Sequence, residues 1–354
     1  MRYSLAAMLF VLCYSAAGCT KDPKGTKPQK EHALNPDPAA ARPGSLGFVG
    51  DSTDVVTPVS GGLVLMGGGT DVDAAFRWMI DRSGGGDVVI IRASGADAYN
   101  PYISRLGKVN SVETLKIDSR TLADDERVAT IIKNAEMLFI AGGDQSNYMK
   151  YWKNTKTMDA INYLLNVKKA PVGGTSAGCA ILGELYYSGE NGSVVSDEAL
   201  SNPYHPNVTL YANDFLKAPF MKEVLTDQHY VARGRQGRHL AFLARMLKDK
   251  GIQAKGVAAD EKTAVCIASD GKATVYGKGK AFFLMTDQNK NPEVCESGQA
   301  LDWNWKQTAV RVYTITGSDE GSGSFDLSTY AESAAKGGTW QWWWAEHGKL
   351  NMNE

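Results

Sequence analysis

The chain has 354 residues, 43% of them hydrophobic and 22% charged, an ordinary globular composition with ample material for a large core. Lysine and arginine number 38 against 39 acidic residues, a net charge of −1 that carries no basic bias toward nucleic acid and no acidic tail. No HExxH, CxxC pair or EF-hand loop occurs, so neither a metal site nor a cofactor is expected.

Arg2 precedes an apolar stretch, Leu5 to Tyr14, too short to span a bilayer as a stable helix. Ser15-Ala16-Ala17-Gly18-Cys19 follows. Small residues before a cysteine resemble a bacterial lipobox, in which Cys19 is lipidated and becomes the first mature residue. Residues 1–19 are therefore read as a lipoprotein-type signal peptide, with ordinary signal cleavage as the alternative. Residues 20–60 hold Pro23, Pro28, Pro36, Pro38 and Pro43 and show no helical or strand period, so they are read as a disordered tether. The expected product is exported and held at a membrane by its lipid alone, in the periplasm or at the cell surface.

The folded part is placed at 61–354. Leu63 to Met66 is an apolar run ended by Gly67-Gly68-Gly69, and a helix with Ala75, Met79 and Ile80 on its apolar face follows. Val88 to Ile91, Val112 to Lys116, Met137 to Ile140 and a run through Val172 are four more buried-type strands. Continuous apolar runs alternating with helical segments predict an α/β fold, a mostly parallel sheet with helices on both faces. In such sheets ligands bind at the carboxyl ends of the strands. The glycine clusters lack GxGxxG spacing and no Walker lysine follows, so nucleotide binding is not expected. Tyr186 to Phe220 reads as a long polar surface loop, Arg238 to Lys248 as a helix, and Lys272 to Phe283 as antiparallel edge strands. Trp340, Trp342, Trp343 and Trp344 read as a packed aromatic terminal strand. Beyond Cys13 and Cys19, only Cys179, Cys266 and Cys295 remain. That odd number excludes a full disulfide framework and leaves a Cys266–Cys295 pair open; Cys179 is read as packing.

Ala170 to Gly174 leads into Thr175-Ser176-Ala177-Gly178-Cys179 and then an apolar run. A strand ending in glycines, a serine at the corner and small residues opening a helix form the pattern of a nucleophile elbow. A serine placed so is exposed above the sheet, and the next backbone N–H can stabilise an oxyanion. A nucleophilic serine needs a base, and the base an orienting acceptor. Of the five histidines, His229 has the most polar surroundings, with Asp227, Gln228 and three arginines nearby.

Gly173 to Gly178, with Asp227-Gln228-His229-Tyr230-x-x-Arg233-Gly234-Arg235-x-Gly237-Arg238, resembles the cyanophycinases, serine peptidases of the family that includes peptidase E. Ala141 to Gln145 and Ala258 to Ala264 are similar to two further segments of that family, in the same order. The resemblance runs from about Gly61 to Met285. It implies a class I glutamine amidotransferase-like fold and a Ser-His-Glu triad: Ser176 as nucleophile, His229 as base, Glu261 as the group that orients the imidazole. The implied oxyanion donors are the backbone N–H groups of Gly143 and Ala177. Gln145, Thr175, Asp227 and Gln228 would line or brace the substrate pocket, as would Arg233, Arg235 and Arg238. Guanidinium groups suit carboxylate, which they bind in a bidentate fork.

On a strand, Asp260 and Glu261 would point to opposite faces, so only one can reach His229. Glu190, Asp197 and Glu198 are rival acids. The segment between Ser176 and His229 is long for the family, so access to the site is expected to differ. The implied activity is an exported exopeptidase that cleaves cyanophycin, a poly-aspartate with arginine on each β-carboxyl, to β-Asp-Arg dipeptides. A peptidase E-like aspartyl dipeptidase and a non-catalytic binding lipoprotein on the same fold are the alternatives. The expected partner is a peptide or cyanophycin-type polymer, with no nucleic acid; a homodimer is among the assemblies allowed.

Overall fold

The computed structural model of the protein describes residues 42–353. The signal segment, Cys19 and most of the expected tether lie outside the described residues. In chain order the strands are β1 (Ser45–Gly50), β2 (Gly62–Met66), β3 (Asp87–Arg92), β4 (Ser111–Lys116), β5 (Met137–Ile140), β6 (Pro171–Thr175), β7 (Leu185–Tyr187) and β8 (Leu210–Ala212). They continue as β9 (Val224–Gln228), β10 (Lys255–Ala259), β11 (Thr263–Ala268), β12 (Lys272–Gly277), β13 (Lys280–Met285), β14 (Val310–Thr316), β15 (Ser322–Asp326), β16 (Thr339–Glu346) and β17 (Lys349–Asn353).

The first sheet has nine strands in the order β1-β4-β3-β5-β6-β2-β11-β12-β15. Its centre, from β4 to β2, is parallel. β2, β3 and β5 read as unbroken apolar runs because both of their faces are covered. Successive side chains alternate across a strand. Leu63 and Leu65 accordingly enter the core shared with the helices Glu126–Asn134, Gln145–Trp152 and Lys156–Tyr163. Val64 and Met66 enter the opposite core, against Phe76 and Met79 of helix Asp73–Arg82.

The second sheet has eight strands in the order β17-β16-β14-β13-β10-β9-β7-β8. It is parallel only across β7, β9 and β10. One face joins the first core through Val257, Phe283 and Tyr313. The other packs Leu225, Leu284 and Trp343 against Leu240 and Leu243 of helix Gln236–Lys250.

The architecture is thus α/β with two mixed sheets, and the expectation of one mostly parallel sheet is corrected. The turns joining β11 to β12 and β12 to β13 are too short for a crossover, so those neighbours must run antiparallel or change sheet. Helices do cover both faces of the first sheet. Lys272 to Phe283 does not lie at an edge, since β12 is flanked by β11 and β15, and β13 by β10 and β14.

Two further expectations are corrected. Ser45–Gly50, placed in the tether, pairs antiparallel with β4, and Arg42 forms an ion pair with the buried Glu113. A Gly- and Ser-containing edge strand of half-buried residues carries no apolar run to betray it. The expected surface loop from Tyr186 to Phe220 contains β7, helix Ser196–Ser201 and β8, and Tyr186, Tyr187 and Phe215 are buried. The tryptophan run forms β16, with Trp343 and Trp344 buried. Cys179, Cys266 and Cys295 are buried free thiols.

Candidate active site

Ser176 occupies the corner between β6 and the short helix Ala177–Ala180. Its backbone sits at φ 52° and ψ −118°, a region costly for a side-chain-bearing residue and concentrated at functional sites. The corner is tight. A Cβ on Gly178 would stand 2.2 Å from the Ile140 carbonyl oxygen, and one on Gly174 2.5 Å from the Gly178 carbonyl carbon. Only glycine permits this strand and helix to approach so closely. Ser176 N–H donates to the Met66 carbonyl at 3.1 Å, which fastens the corner to the end of β2.

His229 follows the last residue of β9 in the other sheet, also at positive φ, 49°. Its Nε2 lies 2.7 Å from Ser176 Oγ, and its Nδ1 lies 2.6 Å from a Glu261 carboxylate oxygen. Nδ1 must donate to that carboxylate, which leaves Nε2 free to accept from the serine hydroxyl. The hydrogen bond to His229 holds the Glu261 carboxyl below its ordinary pKa. Burial lowers the His229 pKa, the Glu261 hydrogen bond opposes this, and Arg233 and Arg235 lower it further; the net shift is downward from 6.5.

Glu261 lies in the turn where the chain leaves β10 of the second sheet and enters β11 of the first. Strand alternation therefore does not apply at Asp260-Glu261, yet the two carboxylates still diverge. Asp260 accepts the backbone N–H groups of Val231 and Ala232 at 3.0 and 2.9 Å, bracing the turn after His229. Of the rival acids, Glu190 accepts from Tyr211 at 2.5 Å and Glu198 caps its own helix through the Val195 N–H at 3.0 Å. Neither is bonded to His229.

Gly67-Gly68-Gly69 also helps to build the site, beyond ending β2. Gly67 O accepts His229 N–H at 2.8 Å, and Gly68 O accepts Lys262 N–H at 3.0 Å. A Cβ on Gly68, whose φ is 89°, would stand 2.5 Å from the His229 ring and 3.1 Å from Ser176 Cβ. The glycines directly after the first predicted strand were the available signal.

A cleft of about 260 Å³ opens at Ser176, lined by Gly143, Gln145, Gln228, Arg233, Arg235 and Arg238 among others. Tyr187 and Ser193, from the segment expected to be a polar surface loop, also face it. Among the described residues the N–H groups of Gly143 and Ala177 have no hydrogen-bond partner outside their own elements, and Ala177 is the first residue of its helix, where an N–H is always left over.

The three arginines differ. Arg233 is exposed at the mouth, 3.9 Å from Glu261. Arg235 is half-buried and donates to the Gln228 carbonyl at 3.0 Å; burial, with Arg238 nearby, pushes its pKa down to about 10. Arg238 is buried and clamps Asp227 bidentately, at 2.8 and 2.5 Å. Burial raises the Asp227 carboxyl, but Arg238 and then Arg235 more than reverse this and hold it below its ordinary value. Asp227 therefore braces the floor rather than lining the cleft. Thr175 is buried behind Ser176, with its hydroxyl outside the cleft. Gln228 lines the cleft, and its buried Oε1 has no hydrogen-bond partner among the described residues.

The other histidines lie elsewhere. His239 is fully buried, 3.0 Å from Tyr230 Oη, and burial pushes its pKa down to about 4. His205 Nδ1 accepts the Asn207 N–H at 3.2 Å. Cys179, three residues past Ser176, is buried in the first core, and burial pushes its thiol well above its ordinary pKa.

The family model described as Peptidase family S51 matches residues 63–275 of this chain. A cyanophycinase of Geminocystis herdmanii (strain PCC 6308) is 25% identical over 228 residues, covering 61% of this chain and 78% of the relative. A cyanophycinase of Synechococcus elongatus is 28% identical over 234 residues, covering 63% of this chain and 68% of the relative. Among solved structures, a peptidase from an acI-B1 Actinobacterium is similar with a TM-score of 0.45 and 16% identity, covering 63% of this chain and 90% of that one.

Proposed function

This chain belongs to peptidase family S51, and we propose that it is a serine-type exopeptidase that cleaves cyanophycin to β-Asp-Arg dipeptides. The observation that carries the reading is the hydrogen-bonded chain Ser176–His229–Glu261 beside a cleft into which Arg233 and Arg235 project. In this reading the corner at Ser176 is a nucleophile elbow on a class I glutamine amidotransferase-like fold.

Ser176 Oγ attacks the scissile carbonyl carbon as its proton passes to His229 Nε2. The N–H groups of Gly143 and Ala177 receive the oxyanion, and the Glu261 carboxylate stabilises the imidazolium. Nε2–H then gives its proton to the departing amine as the C–N bond breaks, leaving an acyl ester on Ser176. Water repeats the sequence: its proton goes to Nε2, its oxygen to the acyl carbon, and the proton returns to Ser176 Oγ as the carboxylic acid leaves. Arg233 and Arg235 hold the free carboxylate of the residue being cleaved.

The small volume of the cleft favours a second reading, an aspartyl dipeptidase of the peptidase E type. Incubating the protein with cyanophycin and, separately, with Asp-initiated dipeptides tests both. The first reading expects β-Asp-Arg from the polymer, and release of product from dipeptides alone would select the second. We also propose that Cys19 carries the lipid of an exported, membrane-anchored form. A soluble protein from Cys19→Ser cells, against a membrane-bound parent, would support this.

A further inference from the structure

Beside the cleft lies a larger cavity, of about 560 Å³, whose lining includes Ser146, Lys150, Lys153, Tyr186, Glu190 and Tyr211. The two adjoin through consecutive residues. Gln145, Tyr187 and Gly189 face the cleft, whereas Ser146, Tyr186 and Glu190 face its neighbour. Tyr186 and Tyr187 separate because successive residues of β7 point to opposite faces. Gly189, at φ 65°, forms the sill: a Cβ there would stand 3.0 Å from Gln145 Nε2.

The larger cavity has a rigid wall. Tyr186 stacks on Tyr211 with ring centroids 5.5 Å apart and donates to Asp214 at 2.7 Å. Lys153 is neutralised by Asp214 at 2.6 Å. Two charges remain over. Lys150 is exposed, its ammonium 5.3 Å from the Tyr151 ring centroid, and Glu190 is exposed and accepts only from Tyr211. Among the described residues neither has an oppositely charged partner. The cavity thus offers one cation and one anion to whatever enters it. Its volume falls within the roughly 300–1,000 Å³ usual for small-molecule sites. Tyr186, Glu190 and Tyr211 all belong to the segment between Ser176 and His229.

We propose that this cavity is a second substrate subsite, taking the arginylated aspartyl unit next to the one being cleaved, with Glu190 receiving its guanidinium and Lys150 its α-carboxylate. The inference rests on the polymer-cleaving reading above. Each unit of such a polymer carries one guanidinium and one free carboxylate, the two charges the cavity leaves unmatched. A guanidinium also matches a carboxylate in a planar fork, which gives Glu190 selectivity for arginine over a neutral side chain. Binding here fixes the polymer on both sides of the Gln145–Gly189 sill and so holds the scissile carbonyl over Ser176.

The test uses the full chain. Cyanophycin hydrolysis by the unaltered protein is measured first. Binding of a single β-Asp-Arg unit and of a two-unit oligomer is then measured by calorimetry on Ser176→Ala, with and without Lys150→Gln and Glu190→Gln together. The expected result is that the pair weakens the two-unit oligomer about 10-fold more than the single unit, the size of two part-exposed charge contacts. Glu190→Asp should recover part of the loss, and Glu190→Lys should deepen it. Equal losses for both ligands, or none for the oligomer, would overturn the subsite while polymer hydrolysis stands. Failure of the unaltered protein to act on cyanophycin would remove the functional reading and the subsite with it.

Discussion

Ser176 Oγ lies 2.7 Å from His229 Nε2, although the two residues extend from strands of different sheets. The contact exists because β6 and β9 end at the same place. The Gly67 and Gly68 carbonyls tie the backbones of His229 and Lys262 to the end of β2, which also holds Ser176. A group assembled this way depends on two cores at once, and its parts respond differently to substitution.

Ser176→Ala should abolish hydrolysis and leave unfolding by urea unchanged, since it removes one oxygen from a half-buried position. Loss of a nucleophile costs on the order of 10⁴-fold or more in kcat. His229→Ala should match it. His239→Ala should instead lower stability, because it opens a cavity beside Tyr230, while the surviving folded protein keeps its turnover. Equal rate losses at the two histidines, after correction for folded fraction, would remove His229 from its role.

Glu261→Gln should lower kcat by on the order of 10³–10⁴-fold, as loss of the third member does in other serine triads. Asp260→Asn should have a smaller effect, through the Val231 and Ala232 N–H groups that the carboxylate accepts. The comparison is made by steady-state kinetics on both variants.

The pH profile follows from the environment of His229. In the proposed mechanism its neutral form is the base, and burial holds its pKa below the ordinary 6.5. Activity should therefore be constant at pH 7–8 and fall only as the pH drops below 6.5 and the imidazole is protonated. Removing Glu261 takes away a contribution that raises this pKa, so the acid limb of Glu261→Gln should move to still lower pH. A midpoint above pH 7 in the parent would contradict the burial argument.

Gly68→Ala should keep the fold but push the imidazole away from Ser176, since the new methyl would stand 2.5 Å from the ring at a backbone φ of 89°. A displacement of that kind costs about 10²-fold in rate. A crystal structure of the variant should show the Ser176–His229 distance lengthened.

Much of this was visible in the sequence, for local reasons. β2, β3 and β5 are short apolar runs ended by turn residues, and their buried neighbours on both faces are what such runs require. Residues that end up touching Ser176 sit in dense polar or glycine motifs, because a tight corner and a hydrogen-bonded base both restrict residue choice. What stayed hidden depends on distant partners. Whether β9 and β10 join the first sheet or start a second is decided by pairing with β13 and β7, which no local pattern records. β1 was missed because its residues are only half-buried, and β7 and β8 because they are short and sit among polar turns. The difference between Arg233, exposed at the mouth, and Arg238, spent on Asp227, likewise appears only when the side chains are seen together.

Asp227→Asn should be destabilising rather than merely inactivating. It leaves the buried Arg238 guanidinium without its counter-charge, a change that typically costs about 3–5 kcal/mol. The folded-state pKa of Asp227 is depressed, so its contribution is present above the unfolded value of 3.8 and is lost as pH falls through the folded value. The gap between the urea midpoints of parent and variant, constant at neutral pH, should begin to narrow as the pH falls below 3.8.

The claim on which the rest depends is that Ser176 is the nucleophile. The direct measurement is intact-mass and peptide mapping after reaction with a serine-directed fluorophosphonate, on the parent, Ser176→Ala and His229→Ala. One adduct per chain, on Ser176 in the parent, absent from Ser176→Ala and strongly slowed in His229→Ala, is the expected result. Labelling of the parent at another serine or at Cys179, or undiminished labelling of Ser176→Ala, would contradict it.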